Sequence, residues 1–197
     1  MVDRMLEEID STIFEDDIEF RIISCESPIP GLLIIIIDLV YIYEHETIQR
    51  WEVRCEDVVE HQIFLGSHAR MMLDEDHVLV MQHNEQKCDL FVSSSTDNPF
   101  EVLGKLYTVH LSLTDGWRPF GEYLNNLHLD VLRSGLGLLA SGPEGIIKAY
   151  GNVLDDFQIR NSSVPIRSMA NNNKELSVLI FDEAFVVARK FIARRIQ

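Results

Sequence analysis

Cysteine is scarce and odd in number: Cys25, Cys55 and Cys88 are the three in the chain. Their wide spacing excludes a disulfide-stapled scaffold and a paired Cys-x-x-Cys motif. It fits reduced thiols, and a cytoplasmic location is expected. Basic side chains are few as well: 17 lysines and arginines stand against 32 acids, for a net charge of −15. The shortage is local. Residues 1–100 hold 22 acidic and 6 basic side chains, a balance of −16, whereas residues 101–197 hold 10 and 11, a balance of +1. Unaided nucleic-acid binding needs a positive footprint that releases counterions, and no nucleic-acid partner is expected. An acidic half keeps a protein soluble and suits a cationic protein partner.

Long apolar runs are missing too. A membrane-spanning helix needs about 20 apolar residues in a row. The start of the chain, Met1 to Asp10, lacks the basic-then-apolar order of a signal peptide. No membrane association is expected. Catalytic signatures are equally thin: His-Glu-x-x-His and Gly-x-Ser-x-Gly do not occur.

What the chain does have is the stretch Leu32–Tyr43, with four consecutive isoleucines. β-branched residues lose side-chain freedom in a helix and pack well on a pleated sheet. Apolar on both faces, this run predicts a central strand covered on both sides. As one strand it would span roughly 40 Å, so a bend or bulge is expected near Asp38. That carboxylate either carries chemistry or marks where the strand leaves the core.

Around this strand the patterns predict an α+β fold. It comprises a mostly antiparallel N-terminal sheet with a helical hairpin and a C-terminal helix packed against it. One domain over 1–197 is expected, strand-rich over 15–95 and helix-rich over 96–197. Val2, Met5, Leu6, Ile9 and Ile13 predict a short amphipathic helix over 2–14. Ile18, Phe20 and Ile22 alternate with polar residues, as a half-buried strand does, and Ser27 to Gly31 reads as a turn. From Thr47 to Glu56, Gln49, Trp51, Val53 and Cys55 share one face, and Arg50, Glu52, Arg54 and Glu56 share the other. Residues 58–65 fit strand or helix, and 66–76 read as irregular or weakly helical. His77–His83 and Lys87–Ser93 predict a hairpin.

After Ser93–Asp97, Asn98, Pro99 and Glu101 resemble a helix start. The stripe expected to face the core is Phe100, Leu103, Leu106, Tyr107 and His110. A second helix is expected from Pro119, with Phe120, Tyr123, Leu124, Leu127 and Val131 on one face. Residues 138–150 read as another hairpin around Gly142-Pro143-Glu144-Gly145, and 161–173 as a polar loop. At the end, Phe181, Phe185, Ala188, Ile192 and Ile196 lie at helical spacing. A strand at Ser177–Phe181 leading into a helix at Asp182 is the alternative. Arg189, Lys190, Arg194 and Arg195 would suit that helix's C-terminal pole.

Gly135-Leu136-Gly137-Leu138-Leu139-Ala140 matches the dinucleotide fingerprint in letters, and Asp155 falls 20 residues after Gly135. That motif works only between a strand and a helix start. Here Gly142-Pro143 interrupts, and a glycine-rich strand allowing close backbone approach is expected instead. His77, His83 and Cys88, or His61 and His68, would have to converge to hold a metal. On a strand, six residues separate two histidines by roughly 20 Å. No cofactor, metal ligand or catalytic residue is assigned.

Candidate interaction or pocket residues are Trp117, Arg118, Asp38, His110 and Tyr150. Tryptophan and arginine are enriched at binding hot spots, although a packed interhelical loop would also use them. The leading expectation is a non-enzymatic protein-interaction or regulatory module, with a protein partner or self-association as a homodimer. The second is a small-molecule binder or enzyme with a pocket between sheet and helices, which a buried Asp38 near His110 or Tyr150 would favour. A flat apolar patch near Trp117 or the first helix would favour the first.

Overall fold

A computed structural model describes Val2, Met5, Leu6 and residues 18–44, 46–166 and 175–197. The fold is α+β, with antiparallel sheets and α-helices. The chain divides into two compact units, residues 1–80 with 174–197, and residues 81–173.

In the first unit, β1 (Ile18–Ile29), β2 (Leu32–Tyr41) and β3 (Thr47–Glu56) pair antiparallel in sequence order. β5 (Gly66–His68) borders β1, and β12 (Lys190–Arg195) borders β3. A second sheet runs in the order β4 (Glu60–Gln62), β11 (Ala184–Ala188), β10 (Ser177–Phe181), β6 (Met72–Asp74). The two sheets share one core. Ile35, Ile37, Leu39, Val53 and Cys55 come from one sheet; Leu179, Phe181, Ala184 and Val186 come from the other.

The isoleucine run is the middle strand of its sheet. Leu33, Ile35, Ile37 and Leu39 are fully buried. On the opposite face Ile34 and Ile36 are only half-buried. Their cross-strand partners are the polar Arg54 and Glu52, where the sequence predicted a second apolar layer. The expected irregularity falls one step beyond Asp38, between Leu39 and Val40. β3 keeps the alternation of its sequence, with Gln49, Trp51, Val53 and Cys55 buried.

The C-terminal segment corrects the expectation of a helix. Residues 177–181 form a strand, as in the alternative reading, but no helix follows. Asp182, in the left-handed conformation with φ 49°, turns the chain into β11. Val178 to Phe181 and Ala184 to Ala188 are buried at every position, so apolar side chains fill both faces. A helix would have buried one stripe. The basic residues meet acids laterally, with Arg194 on Glu52 at 3.2 Å, Lys190 on Glu56 at 3.6 Å and Arg189 on Asp57 at 3.3 Å. The stretch 66–76, expected to be irregular, supplies β5 and β6. Of the helix expected over 2–14, Val2, Met5 and Leu6 are helical, with Val2 and Met5 buried; the remainder lies outside the described residues.

The helix α1 (Val78–Asn84) replaces the first arm of the expected hairpin. The His77 ring accepts the Leu79 N–H at 3.3 Å and so starts the helix.

In the second unit, β7 (Lys87–Val92) lies between β8 (Gly137–Pro143) and β9 (Asn161–Pro165). β9 falls where a polar loop was expected. It needs no apolar face because it is an exposed edge; 167–173 lie outside the described residues. The helices are α2 (Pro99–Thr114), α3 (His128–Ser134) and α4 (Glu144–Asp156). α4 crosses all three strands and packs on α2. It replaces the second expected hairpin: Pro143 ends the strand, and the Glu85 carboxylate accepts the Gly145 N–H at 3.0 Å at the helix's positive pole. The expected second helix of the hairpin is broken up. Tyr123 and Leu139 carbonyls accept the Ser141 and Asn125 amides at 2.8 Å, tying this segment to the edge of β8. Only a 3-10 turn (Phe120–Glu122) and α3 remain helical.

Candidate functional site

Three of the five candidate residues meet in the second unit. His110 is fully buried on α2. Its Nε2 lies 2.7 Å from the Arg118 carbonyl, which can only accept, so this nitrogen carries the proton. Nδ1, 2.9 Å from the Tyr150 hydroxyl, is then the acceptor, and Tyr150 donates from α4. Burial, with Tyr123 nearby, pushes the Tyr150 phenol well above its ordinary value, so it stays a donor. Phe120, Tyr123 and Tyr150 ring the imidazole at centroid distances of 5.4 to 6.4 Å. Every polar atom of the imidazole is thereby committed. This cluster fastens α2, the 115–119 loop and α4 together, and it presents no nucleophile.

The same bonds set the rotation of α2. Its buried row is Pro99, Val102, Leu106, His110 and Thr114, and the Thr114 hydroxyl donates to the His110 carbonyl at 3.0 Å. The row read from sequence, with Phe100 and Tyr107 inward, is therefore turned outward on one side. Phe100 is 66% exposed, Tyr107 48% and Leu111 40%. These positions recur at i, i+7 and i+11, one line along the helix. The Arg133 guanidinium lies 5.7 Å above the Phe100 ring. At the other end of the line Trp117 is half-buried, its backbone N–H bonded to the Thr114 carbonyl at 2.9 Å. Arg118 is buried beside it, with Glu122 at 3.9 Å. A sequence signal for this surface exists: the apolar arc of residues 99–113 is wider than one helix face needs.

Asp38, the fifth candidate, lies in the first unit. It is 3% exposed and does not mark an exit of the strand. Arg50 holds it through two bonds, Nε–Oδ1 at 2.5 Å and Nη2–Oδ2 at 2.7 Å, with Thr47 at 3.4 Å. The hydrogen bond and the charge of Asp38 push the Arg50 guanidinium above its ordinary value. A carboxylate paired in this way is charge-neutralised and faces Arg50 instead of a cavity.

Two of the thiols, Cys25 and Cys55, are held protonated by burial. Burial first, and then the charge of Cys25, pushes the Cys55 thiol far up, and burial raises Cys25. Among the described residues no three His, Cys, Asp or Glu side chains gather to hold a metal ion. In the fingerprint-like segment, Gly135 caps α3 with φ 71° and its N–H bonds the Val131 carbonyl. A Cβ there would stand 2.1 Å from the Ser95 nitrogen, so glycine is required by close backbone approach. A strand follows, no helix start faces a phosphate, and Asp155 accepts a bond from Asn161 at 2.7 Å. A recess of about 230 Å³ between Ser27, Gly31, Leu33, Val58 and His61 is smaller than the usual ligand pocket of ~300–1,000 Å³. No described helix is long and apolar enough to cross a membrane.

No protein-family model, curated protein or solved structure matches the chain.

Proposed function

We propose that the chain is a non-enzymatic protein-interaction module that docks a protein partner on the outer line of α2. The observation that carries this is the exposure of Phe100, Tyr107 and Leu111 along one helix whose row of Val102, Leu106, His110 and Thr114 is buried. A contiguous apolar line on a rigid element, with an aromatic at its centre and Trp117 beyond its end, has the composition of a binding hot spot. The committed imidazole, the raised Cys25 and Cys55 thiols and the paired Asp38 support a reading without catalysis.

The test places a photo-crosslinking benzoylphenylalanine at Tyr107 of the full chain, in the cell that makes it. A second chain carries the same group at Lys148, which is exposed on α4. Capture of a defined protein from position 107 and not from 148 is expected. Equal capture from both positions, or none from 107, would overturn the proposal.

A further inference from the structure

The geometry points to a second copy of this chain as the occupant: we infer that α2 packs against α2 of another protomer, antiparallel across a two-fold axis. This names the partner for the docking face proposed above and rests on that reading. A two-fold contact must be self-complementary, so one patch has to supply both ridge and groove. α2 supplies both. Beside the ridge of Phe100, Tyr107 and Leu111 runs a row of small exposed residues, Gly104, Thr108 and Ser112. A Cβ at Gly104 would meet nothing within 4 Å, so no neighbour in its own protomer requires glycine there. Glycine inside a helix weakens it. An approaching ridge gives that glycine a purpose.

The groove is also ready to be covered. The Thr108 hydroxyl donates to the Gly104 carbonyl at 2.9 Å, and the Ser112 hydroxyl donates to the Val109 carbonyl at 2.8 Å. Both protons are spent on their own helix, so covering the row strands no donor. In the antiparallel register that sets Phe100 beside the second copy's Leu111, each Tyr107 falls on a Gly104. The ends then match in charge. Arg133 stands over Phe100 at the N-terminal end, while Asp115 caps the other end, where the last turn holds no basic residue. Antiparallel packing brings each Arg133 to the other copy's Asp115 and to the helix's negative pole.

Sedimentation velocity of the full chain over a wide concentration range tests this. A reversible dimer is expected. Gly104→Leu, which should strengthen the isolated helix, fills the groove and should weaken the dimer by about tenfold or more. Arg133→Glu and Asp115→Lys should each weaken it by about fivefold, and the double swap should restore it. Circular dichroism confirms that each variant is folded. A chain that stays monomeric throughout, or a dimer indifferent to Gly104→Leu, overturns the inference. Were the position-107 crosslink to capture only a different protein, the two-fold pairing would fail while the docking role stood.

Discussion

The two units build their cores differently and leave their exposed apolar side chains in different places. In the first, two sheets turn their faces on one another, and the isoleucines of β2 disappear into a common core. In the second, one three-stranded sheet carries α4, and α2 holds more apolar surface than its own unit covers. Charge differs as well: 22 acids to 10 bases over 1–80 with 174–197, against 10 to 7 over 81–173. In the first unit a few of these charges are matched between strands, as in Asp38–Arg50 and Glu52–Arg194. Both units leave large apolar side chains exposed, but in the first the most exposed, such as Tyr43 and Leu65, sit in turns and loops, whereas Phe100, Tyr107 and Leu111 line one helix; that alignment is why we propose the docking role for α2.

The sharpest way to break this contrast is a pair of equal truncations. Ile37 is fully buried, and Leu136 is 77% exposed. Ile37→Ala should cost about 2–5 kcal/mol, since the core closes only partly on the cavity. Leu136→Ala should stay within about 0.5 kcal/mol. Urea titration of each variant reads the difference. Comparable losses would mean that the second unit's outer apolar residues are structural after all.

Much of the first unit was legible because its signals are local. The β-branched run of β2 and the strict alternation of β3 each predict a strand from a few neighbouring residues. The C-terminal strands were not legible. Phe181, Phe185 and Ala188 fit a helical spacing, and only sheets on both sides make a fully apolar run a strand. β12 is placed by pairing with β3, a partner more than a hundred residues earlier, which no local pattern encodes. In the second unit, helix existence was legible from Asn98-Pro99, but helix rotation was not. Bonds from His110 to Tyr150, 40 residues away, decide which side of α2 is buried. His110, Tyr150 and Arg118 could each be named from the sequence, yet their meeting belongs to the fold. The outward line of Phe100 and Tyr107 was misassigned to the core for the same reason.

The lock on α2 can be tested through its proton. Folding raises the Tyr150 pKa above its ordinary value of 10.0, so the folded chain keeps a proton that the unfolded chain releases. The stability this contributes is complete below about pH 10 and declines above it, by at most about 1.4 kcal/mol per pH unit. Tyr150→Phe should cost about 1–3 kcal/mol at pH 8, because the His110 acceptor loses its donor. The gap to the unaltered chain should narrow between pH 10 and 11, where only the tyrosine-bearing chain suffers. A gap that holds constant across that range would detach Tyr150 from the alkaline loss.

The smallest expected effect bears on the charge side of the comparison. Arg194 and Glu52 are direct cross-strand partners 3.2 Å apart, but the arginine side chain is 69% exposed. Water and salt screen such a pair, and Arg194→Ala should cost only about 0.5 kcal/mol. β12 is held mainly by its backbone ladder and by Phe191, which is 6% exposed. The small loss should vanish in about 1 M salt, where screening acts over about 3 Å. Thermal unfolding at low and high salt measures both values. A loss above about 2 kcal/mol that persisted in salt would make the matched acids and bases a source of the first unit's stability. In that case, cross-strand charge, and not the shared apolar core alone, would hold its outer strand in place.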